Sequence, residues 1–434
     1  MIRDRAFWLF DKLRGGNVKS HFDDIQSILE KFDSEDSLAR REQILKNILD
    51  HSTTNTIFYS DFSDHTSLND FPIIDKIKLR KHFKNFQANA GFQEPTYQVQ
   101  TSGSTGTPFQ VVQDRKKKER NTADTLYFGK KGGYVLGQPL YYFRKWDKTN
   151  SKNPITKWIQ NVIPIDVSKL TDGHLDSLTN KLSKSNAAIS LIGYSSAYKD
   201  LCDYLTRKKD KLGTKVSSII AIAEALSPKT KNDLESFFNT NVISRYSNAE
   251  NGIIAQQLPG LGDNFYINWA SYHVEILEID SDKPVKNGQL GRIVITDLFN
   301  YCMPMIRYDT GDLGIMDICE NRFSSAPVLT QIEGRKMDVL FDSSGNRISP
   351  YLAYEFEHFP QLKQFQVIQE GKKDYKVLLN IEGIFHKEEK AKTLLKKYLG
   401  DEANIYFEYV DEIPRLSSGK RKLTLNKYYQ EPNL

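Results

Sequence analysis

Cysteine is nearly absent from this chain: Cys202, Cys302 and Cys319 are scattered through 434 positions, with no Cys-x-x-Cys pair. That spacing argues against a disulfide framework and a structural zinc site, and it fits a reducing, cytoplasmic setting. Long apolar runs are missing too. Nothing approaches the roughly 20 apolar residues that a membrane helix requires, and the Phe-Trp-Leu-Phe patch at 7–10 is broken by Arg3, Arg5, Asp11 and Lys12, too polar for a secretory leader. A soluble, unexported protein is expected. Neither sign of charge dominates: 60 Lys and Arg face 55 Asp and Glu, and a net of +5 is too small to imply a nucleic-acid or membrane partner. The basic run at 115–118 is therefore expected to be a solvated helix face, with steering of an anionic ligand as the alternative. A Walker loop is lacking as well, because Gly419-Lys420 is followed by Arg421 where Ser or Thr would be needed.

What is present points to an enzyme-sized globular protein of two or three domains. Its most informative stretch is Thr101-Ser102-Gly103-Ser104-Thr105-Gly106-Thr107-Pro108, five hydroxyl residues and two glycines in eight positions. Gly103 and Gly106 allow close backbone approach and positive φ, while hydroxyls and bare N–H groups offer donors to phosphate oxygens. The segment reads as a phosphate cradle; a flexible surface linker shares its composition.

Residues 5–50 carry helical spacing, with Ile25, Ile28, Leu29 and Phe32 three and four apart. After the cradle, strand and helix alternate. Strands are expected at 139–143, 188–192, 217–223 and 242–245, and helices at 172–184 and 228–239, which implies an α/β sheet with helices on its faces. Ligands collect beyond the carboxyl ends of such strands, so Gly193-Tyr194-Ser195-Ser196, Ala223-Glu224 and Tyr246-Ser247-Asn248-Ala249-Glu250 are expected to converge on one crevice. Residues 266–296 are richer in β signals, with Asn287-Gly288 as a turn. A different pattern starts near Gly334: a strand at 339–341, a turn at 343–346, a helix at 350–358, a hairpin about Gly371, a helix at 387–399 and a strand at 405–410. These suffice for an α+β domain of about 100 residues.

Three further segments carry chemistry. Arg307-Tyr308-Asp309-Thr310-Gly311-Asp312 sets two carboxylates around a Thr-Gly turn, able to hold ribose hydroxyls or simply to cap the turn. Gly334-Arg335-Lys336 sits at the expected domain boundary, as a phosphate or ribose contact with a pivot, or as a salt-bridged linker. Pro414-Arg415-Leu416-Ser417-Ser418-Gly419-Lys420 presents a lysine that is either solvated or able to reach an anion.

In their order these segments, together with Phe71-Pro72-Ile73-Ile74-Asp75-Lys76 and Ala223-Glu224-Ala225-Leu226, resemble the adenylate-forming superfamily of acyl-CoA synthetases, luciferase and peptide-synthetase adenylation domains. The resemblance covers roughly 70–425 and is nearest to the branch of phenylacetate-CoA ligases and capsular-polysaccharide-biosynthesis proteins. It implies an α/β fold: a large N-terminal domain (1–334) with a β-rich subdomain, and a small mobile C-terminal α+β domain (335–434). It implies an AMP-forming ligase using ATP and Mg2+, with a small carboxylic acid as substrate and coenzyme A, or an amine or hydroxyl of a sugar or amino acid, as acceptor. By that resemblance Ser102, Gly103, Ser104, Thr105, Gly106 and Thr107 cradle phosphates, Tyr246 stacks on adenine beside Ala223 and Glu224, and Ser247 supplies a compensating donor. Asp312 binds ribose, Arg335 ribose or phosphate, and Glu250 magnesium. Lys336 is the hinge and Lys420 the catalytic cation. Tyr141, Tyr142, Gly193, Tyr194 and Ser195 line the acyl pocket. Two positions depart from the family pattern: Phe109 stands where lysine is common, and Ala249 where threonine usually precedes the glutamate. Ala249 motivates the alternative of a nucleotide-binding or scaffold protein without turnover. Oligomeric state is left open.

Overall fold

The structure is a computed structural model that describes residues 2–89, 92–101, 109–146, 158–209, 214–318, 325–335, 340–348, 352, 356, 359, 361–415 and 422–428. Its chain divides into two compact units, one of residues 1–310 and 314–331, the other of 311–313 and 332–434. Expectation and structure agree that the fold is mixed α/β. Three helices open the first unit, α1 (Ile2–Leu13), α2 (Asn17–Glu30) and α3 (Glu35–Asn55). Ile25 and Ile28 of α2 are buried, as the spacing predicts, and Ser34 caps α3 by accepting from the Ser37 amide. A short helix α4 (Lys76–Lys81) and the hairpin β1 (Thr96–Thr101) and β2 (Phe109–Asp114) follow, the hairpin arms flanking the expected cradle.

The dominant element is a sheet in the order β10-β11-β12-β13-β9-β8-β7-β6-β5-β3-β4. Its parallel part comprises β4 (Val162–Asp166), β3 (Leu140–Arg144), β5 (Ile189–Tyr194), β6 (Val216–Ile222) and β7 (Val242–Asn248). Helices α6 (Asp172–Ser183), α7 (Ser195–Lys208) and α8 (Pro228–Phe238) connect these strands, and their apolar stripes join the strands in one core around Leu178, Tyr198, Leu201, Leu234, Leu191 and Ile219. Sheet direction then reverses: β8 (Gly252–Gln257) and β9 (Phe265–Ile267) are antiparallel, and β10 (Tyr272–Leu277), β11 (Leu290–Asp297), β12 (Tyr308–Ile318) and β13 (Pro327–Arg335) supply the β-rich part expected from 266–296.

One expectation fails in α5 (Arg115–Lys131), whose basic start was to be a solvated face. Arg115, Lys116 and Lys118 are exposed, but Lys117 is completely buried, its Nζ 2.6 Å from Asp297 and 3.1 Å from the Tyr272 hydroxyl. Lys117, Arg120 and Asp124 fall on one helical stripe, and that stripe faces the interior. Arg120 binds Asp24 at 2.6 Å and the Ser271 hydroxyl at 2.8 Å, while Asp124 accepts from Asn268 and Ser271. Charges occupy core positions here because they arrive with their partners.

The second unit is built on β18-β17-β16-β19, comprising β16 (Leu362–Gln369), β17 (Asp374–Ile381), β18 (Asn404–Tyr409) and β19 (Thr424–Asn426), beside the small hairpin β14 (Leu340–Phe341) and β15 (Arg347–Ile348). Helix α9 (Glu388–Leu399) crosses from β17 to its parallel neighbour β18 and buries Ala391, Leu395 and Leu399 in a core with Val367, Val377 and Leu379. The helix expected at 350–358 lies largely outside the described residues. Cys202 and Cys302 are buried, and burial pushes both thiols well up from their usual range. Among the described residues no helix is long and apolar enough to cross a membrane.

Candidate active site

Two sequence motifs more than 200 positions apart are stitched together in the first unit. The Ile74 amide donates to the Arg307 carbonyl at 3.1 Å and the Asp309 amide to the Ile74 carbonyl at 2.8 Å, a parallel bridge of Ile74 with Tyr308. Arg307 takes φ +49°, a region L-residues seldom occupy, and its guanidinium is pinned by Glu275 at 2.9 and 3.1 Å and by the Phe71 carbonyl at 3.2 Å. Asp75 then caps α4 by accepting from the Lys78 amide at 2.7 Å, which fixes where Lys76 emerges.

Lys76 reaches Glu250. Its Nζ lies 2.9 Å from Oε1, and the Tyr308 hydroxyl donates to the same oxygen at 2.9 Å. Glu250 is 2% exposed, and its carbonyl accepts from Gln113 of β2 at 2.9 Å. The next residue, Asn251, donates its amide to Asn248 at 2.8 Å, and its carbonyl accepts from the Tyr272 hydroxyl. Lys76 and Arg80 both lie 5.8 Å from the centre of the Phe109 ring, the residue that directly follows the 102–108 segment. A carboxylate, two cations and a phenol thus gather where β2 leaves that segment. Neither Lys76 nor Gln113 carries a local sequence signal of its role, because both depend on contacts far apart in the chain.

The remaining expected residues divide by place. Ser102, Gly103, Ser104, Thr105, Gly106, Thr107, Lys336 and Lys420 lie outside the described residues, as does the side chain of Arg335, whose backbone ends β13. Tyr246, on β7, donates to Thr310 at 3.3 Å and is half-buried, as are Ser247 and Asp312. Of the two carboxylates in the 307–312 segment, Asp309 is paired with Arg292 at 2.8 Å. Ala223 has φ +70°, and Glu224 turns back to α7: its carboxylate accepts from the Ser196 amide at 2.9 Å and its carbonyl from the Ser195 hydroxyl at 3.0 Å. The loops after β5 and β6 are therefore joined, with a negative charge at the positive end of a helix.

Register fixes the faces of the parallel strands. Tyr142 pairs with Ile192 and Tyr194 with Ile222, on one face; Tyr141 pairs with Leu191 and Phe143 with Gly193, on the other. Tyr141 and Tyr142 thus point to opposite sides. Gly193 is demanded by close packing, because a Cβ there would lie 2.5 Å from the Phe143 Cβ.

Known proteins share the fold. Over 92% of both chains the structure matches 2-hydroxyisobutyryl-CoA ligase in the postadenylation state with R3-HIB-AMP, at 16% identity and a TM-score of 0.75. It also matches ATP-bound MatB from Rhodopseudomonas palustris at 17% identity and a TM-score of 0.55, covering 75% of this chain and 66% of that one. The fold is that of the adenylate-forming ligases. Within that fold, residues 340–427 match the CapK C-terminal domain, and the chain is 22% identical to Protein CapK of Staphylococcus aureus across 94% of its own length and 93% of that protein.

Proposed function

We propose that the protein is an ATP-dependent, AMP-forming ligase: a substrate carboxylate attacks the α-phosphorus of ATP, pyrophosphate leaves, and the acyl-adenylate passes its acyl group to an acceptor. The observation that carries this reading is the Lys76–Glu250–Tyr308 cluster, set beside Phe109, the residue that directly follows the hydroxyl- and glycine-rich segment in sequence. A triphosphate needs both a metal ligand and fixed cations, and the cluster provides one carboxylate and two cations in a frame held by Gln113 and Tyr272. The residues present fit Mg2+, which keeps most of its coordination for water and phosphate oxygens and takes one or two protein carboxylates. Glu250 would hold it. Both described contacts fall on Oε1, so Lys76 must share that carboxylate or yield it. The metal would neutralise phosphate charge, while Lys420 would offset what builds up at the α-phosphorus.

The acceptor is coenzyme A, or an amine or hydroxyl of a sugar or amino acid. The resemblance of Gly193-Tyr194-Ser195-Ser196 and Phe71-Pro72-Ile73-Ile74 to the capsular-polysaccharide branch favours a place in surface-polysaccharide biosynthesis. Tyr246, Ala223, Glu224, Asp312 and Arg335 would take the nucleoside, and closure about Lys336 would bring Lys420 in and carry it away again. The test is pyrophosphate and AMP release with hydroxylamine trapping across aryl, aliphatic, hydroxy and amino acids, comparing wild type with Lys420→Ala. Loss of most of the hydroxamate in the variant is expected. Bound ATP with no AMP from any acid would favour a nucleotide-binding protein without turnover, a reading to which the Lys76–Glu250 ion pair lends weight because it already neutralises the metal ligand.

A further inference from the structure

Four arginines are buried among the described residues, Arg120, Arg245, Arg292 and Arg307. Three of them face a carboxylate: Asp24 at 2.6 Å, Asp309 at 2.8 Å and Glu275 at 2.9 Å respectively. Arg245 does not. It is 9% exposed on β7, and its one hydrogen bond among the described residues runs from Nε to the Gln256 amide oxygen at 2.7 Å. Gln256 is itself fully buried and anchored to the Phe128 carbonyl at 2.7 Å. Both Nη groups are left without a hydrogen-bond partner among the described residues. Burial without an anion pulls the guanidinium down to about 10, with the Tyr142 hydroxyl as the sole opposing influence. A largely buried cation with no anion beside it costs stability, an anionic ligand would offset that cost, and groups perturbed in this way cluster at functional sites.

The position of Arg245 says which ligand. Arg245 pairs in register with Ile222, Ile222 with Tyr194, and Tyr142 two residues earlier in the sheet pattern with Ile192 and Ile220. Register partners share a face, so Tyr142, Tyr194, Ile222 and Arg245 all project to one side. The same face is roofed by the end of α5, since Ser218 bonds the Gly132 carbonyl and Gly132 abuts Ile243 and Gln256. Tyr194, Ile222 and Arg245 stand at or near the carboxyl ends of parallel strands, where α/β folds place ligands. Tyr246, the adenine-stacking candidate, is the next residue and points the other way. One strand thereby presents the nucleotide candidate on one face and a bare guanidinium on the other.

We propose that Arg245 is the specificity anchor of the acyl pocket, and that the acid activated by this protein is a dicarboxylic acid whose second, unreacting carboxylate is clamped by the free fork of Arg245 while Tyr142 and Tyr194 border its chain. This rests on the ligase reading above for the fate of the first carboxylate, but the anion site does not depend on turnover. A planar fork with two free Nη groups matches a carboxylate bidentately, whereas a lysine or an amide could not.

The experiment pairs succinate and glutarate with their monoamides, which keep length and one carboxylate but lose the second charge. Wild type, Arg245→Lys, Arg245→Gln and Arg245→Met are measured in the hydroxamate assay and, without ATP, by acid-induced thermal shift. Wild type is expected to favour diacid over monoamide by about 30-fold or more in kcat/KM, and the Gln and Met variants to lose that preference, mostly through KM. Without ligand the unfolding midpoint of Arg245→Gln should equal or exceed wild type, since an unpaired buried charge is gone while an amide remains to donate to Gln256. ATP binding by calorimetry should be unchanged. Equal use of diacids and monoamides by wild type, or an unaltered preference in Arg245→Gln, would overturn the proposal and leave the ligase reading intact. Lost ATP binding in Arg245→Gln would assign the guanidinium to nucleotide and also overturn it. A diacid thermal shift that vanishes in Arg245→Gln, with no AMP formed from any acid, would uphold the anion site and sink the ligase reading instead.

Discussion

Lys117→Met tests whether the interior of α5 is held by charge. The ammonium is wholly buried, 2.6 Å from Asp297, itself wholly buried, and 3.1 Å from the Tyr272 hydroxyl. Removing it leaves the Asp297 carboxylate with the Phe299 amide at 3.0 Å as its described hydrogen-bond donor. Breaking a buried pair from one side costs about 3–5 kcal/mol, because the surviving charge stays desolvated. Tyr272 also bonds the Asn251 carbonyl, so the Glu250 segment should loosen as well. Urea unfolding followed by fluorescence should show the midpoint falling at nearly constant m, and ATP-dependent pyrophosphate release should weaken with it. Lys117→Met combined with Asp297→Asn should recover at least half of the lost stability, since the orphaned charge is then gone. A single variant within about 1 kcal/mol of wild type, or a double variant no better than the single, would refute the reasoning.

Gly193→Ala should destabilise by about 1–3 kcal/mol, because its Cβ would meet the Phe143 Cβ at 2.5 Å and the Phe143 carbonyl at 3.1 Å; an unfolding midpoint equal to wild type would show that β3 and β5 can spread. His21, held at about 4 by burial and the neighbouring Arg120, resists protonation in the fold. The unfolded chain takes up that proton from pH 6.5 downward, so stability is lost as pH falls from about 6.5 to 4, by about 2 kcal/mol at pH 5. Comparing urea midpoints at pH 7 and 5 checks this, and His21→Gln should flatten the difference. Lys76→Met removes a competitor for Glu250 Oε1. The half-saturating Mg2+ concentration for pyrophosphate release should drop about two- to fivefold, corresponding to the ~0.5–1 kcal/mol of a partly exposed ion pair. An unchanged magnesium dependence would mean that Lys76 leaves Glu250 during turnover.

Elements governed by local rules were legible in the sequence. The strand at 188–192 and the helices at 172–184 and 228–239 announce themselves through the alternation of apolar strand and helix patterns, and they occur as Ile189–Tyr194, Asp172–Ser183 and Pro228–Phe238. The β16–β17 hairpin about Gly371 and the helix that follows it were equally plain. Lys117 was misread because charge at a core position looks the same in sequence as charge on a surface; only the long-range partner Asp297 separates the two. The site was half legible. Glu250, Tyr246 and the 307–312 segment declare themselves as polar residues at strand ends, but the pairing of Ile74 with Tyr308 and of Lys76 with Glu250 arises from chain closure, which no local pattern encodes. Arg245 did leave a signal: in alternation it shares the inward face of Ile243, a cation where an apolar residue belongs.

The bridge between Ile74 and Tyr308 also orders events during synthesis. The Phe71 carbonyl and the Arg307 side chain that binds it are 236 residues apart, and the buried Tyr59 hydroxyl waits for the Ile306 amide across 247. At about 5–20 residues per second, the N-terminal helices spend roughly 10–50 s outside the ribosome before their closing partners exist. Through that interval Phe71, Tyr59 and Phe86, all fully buried in the finished protein, have incomplete cover. Nascent chains stalled before residue 300 should therefore recruit chaperones through the 59–86 region, and release from them should coincide with emergence of the 300–310 segment.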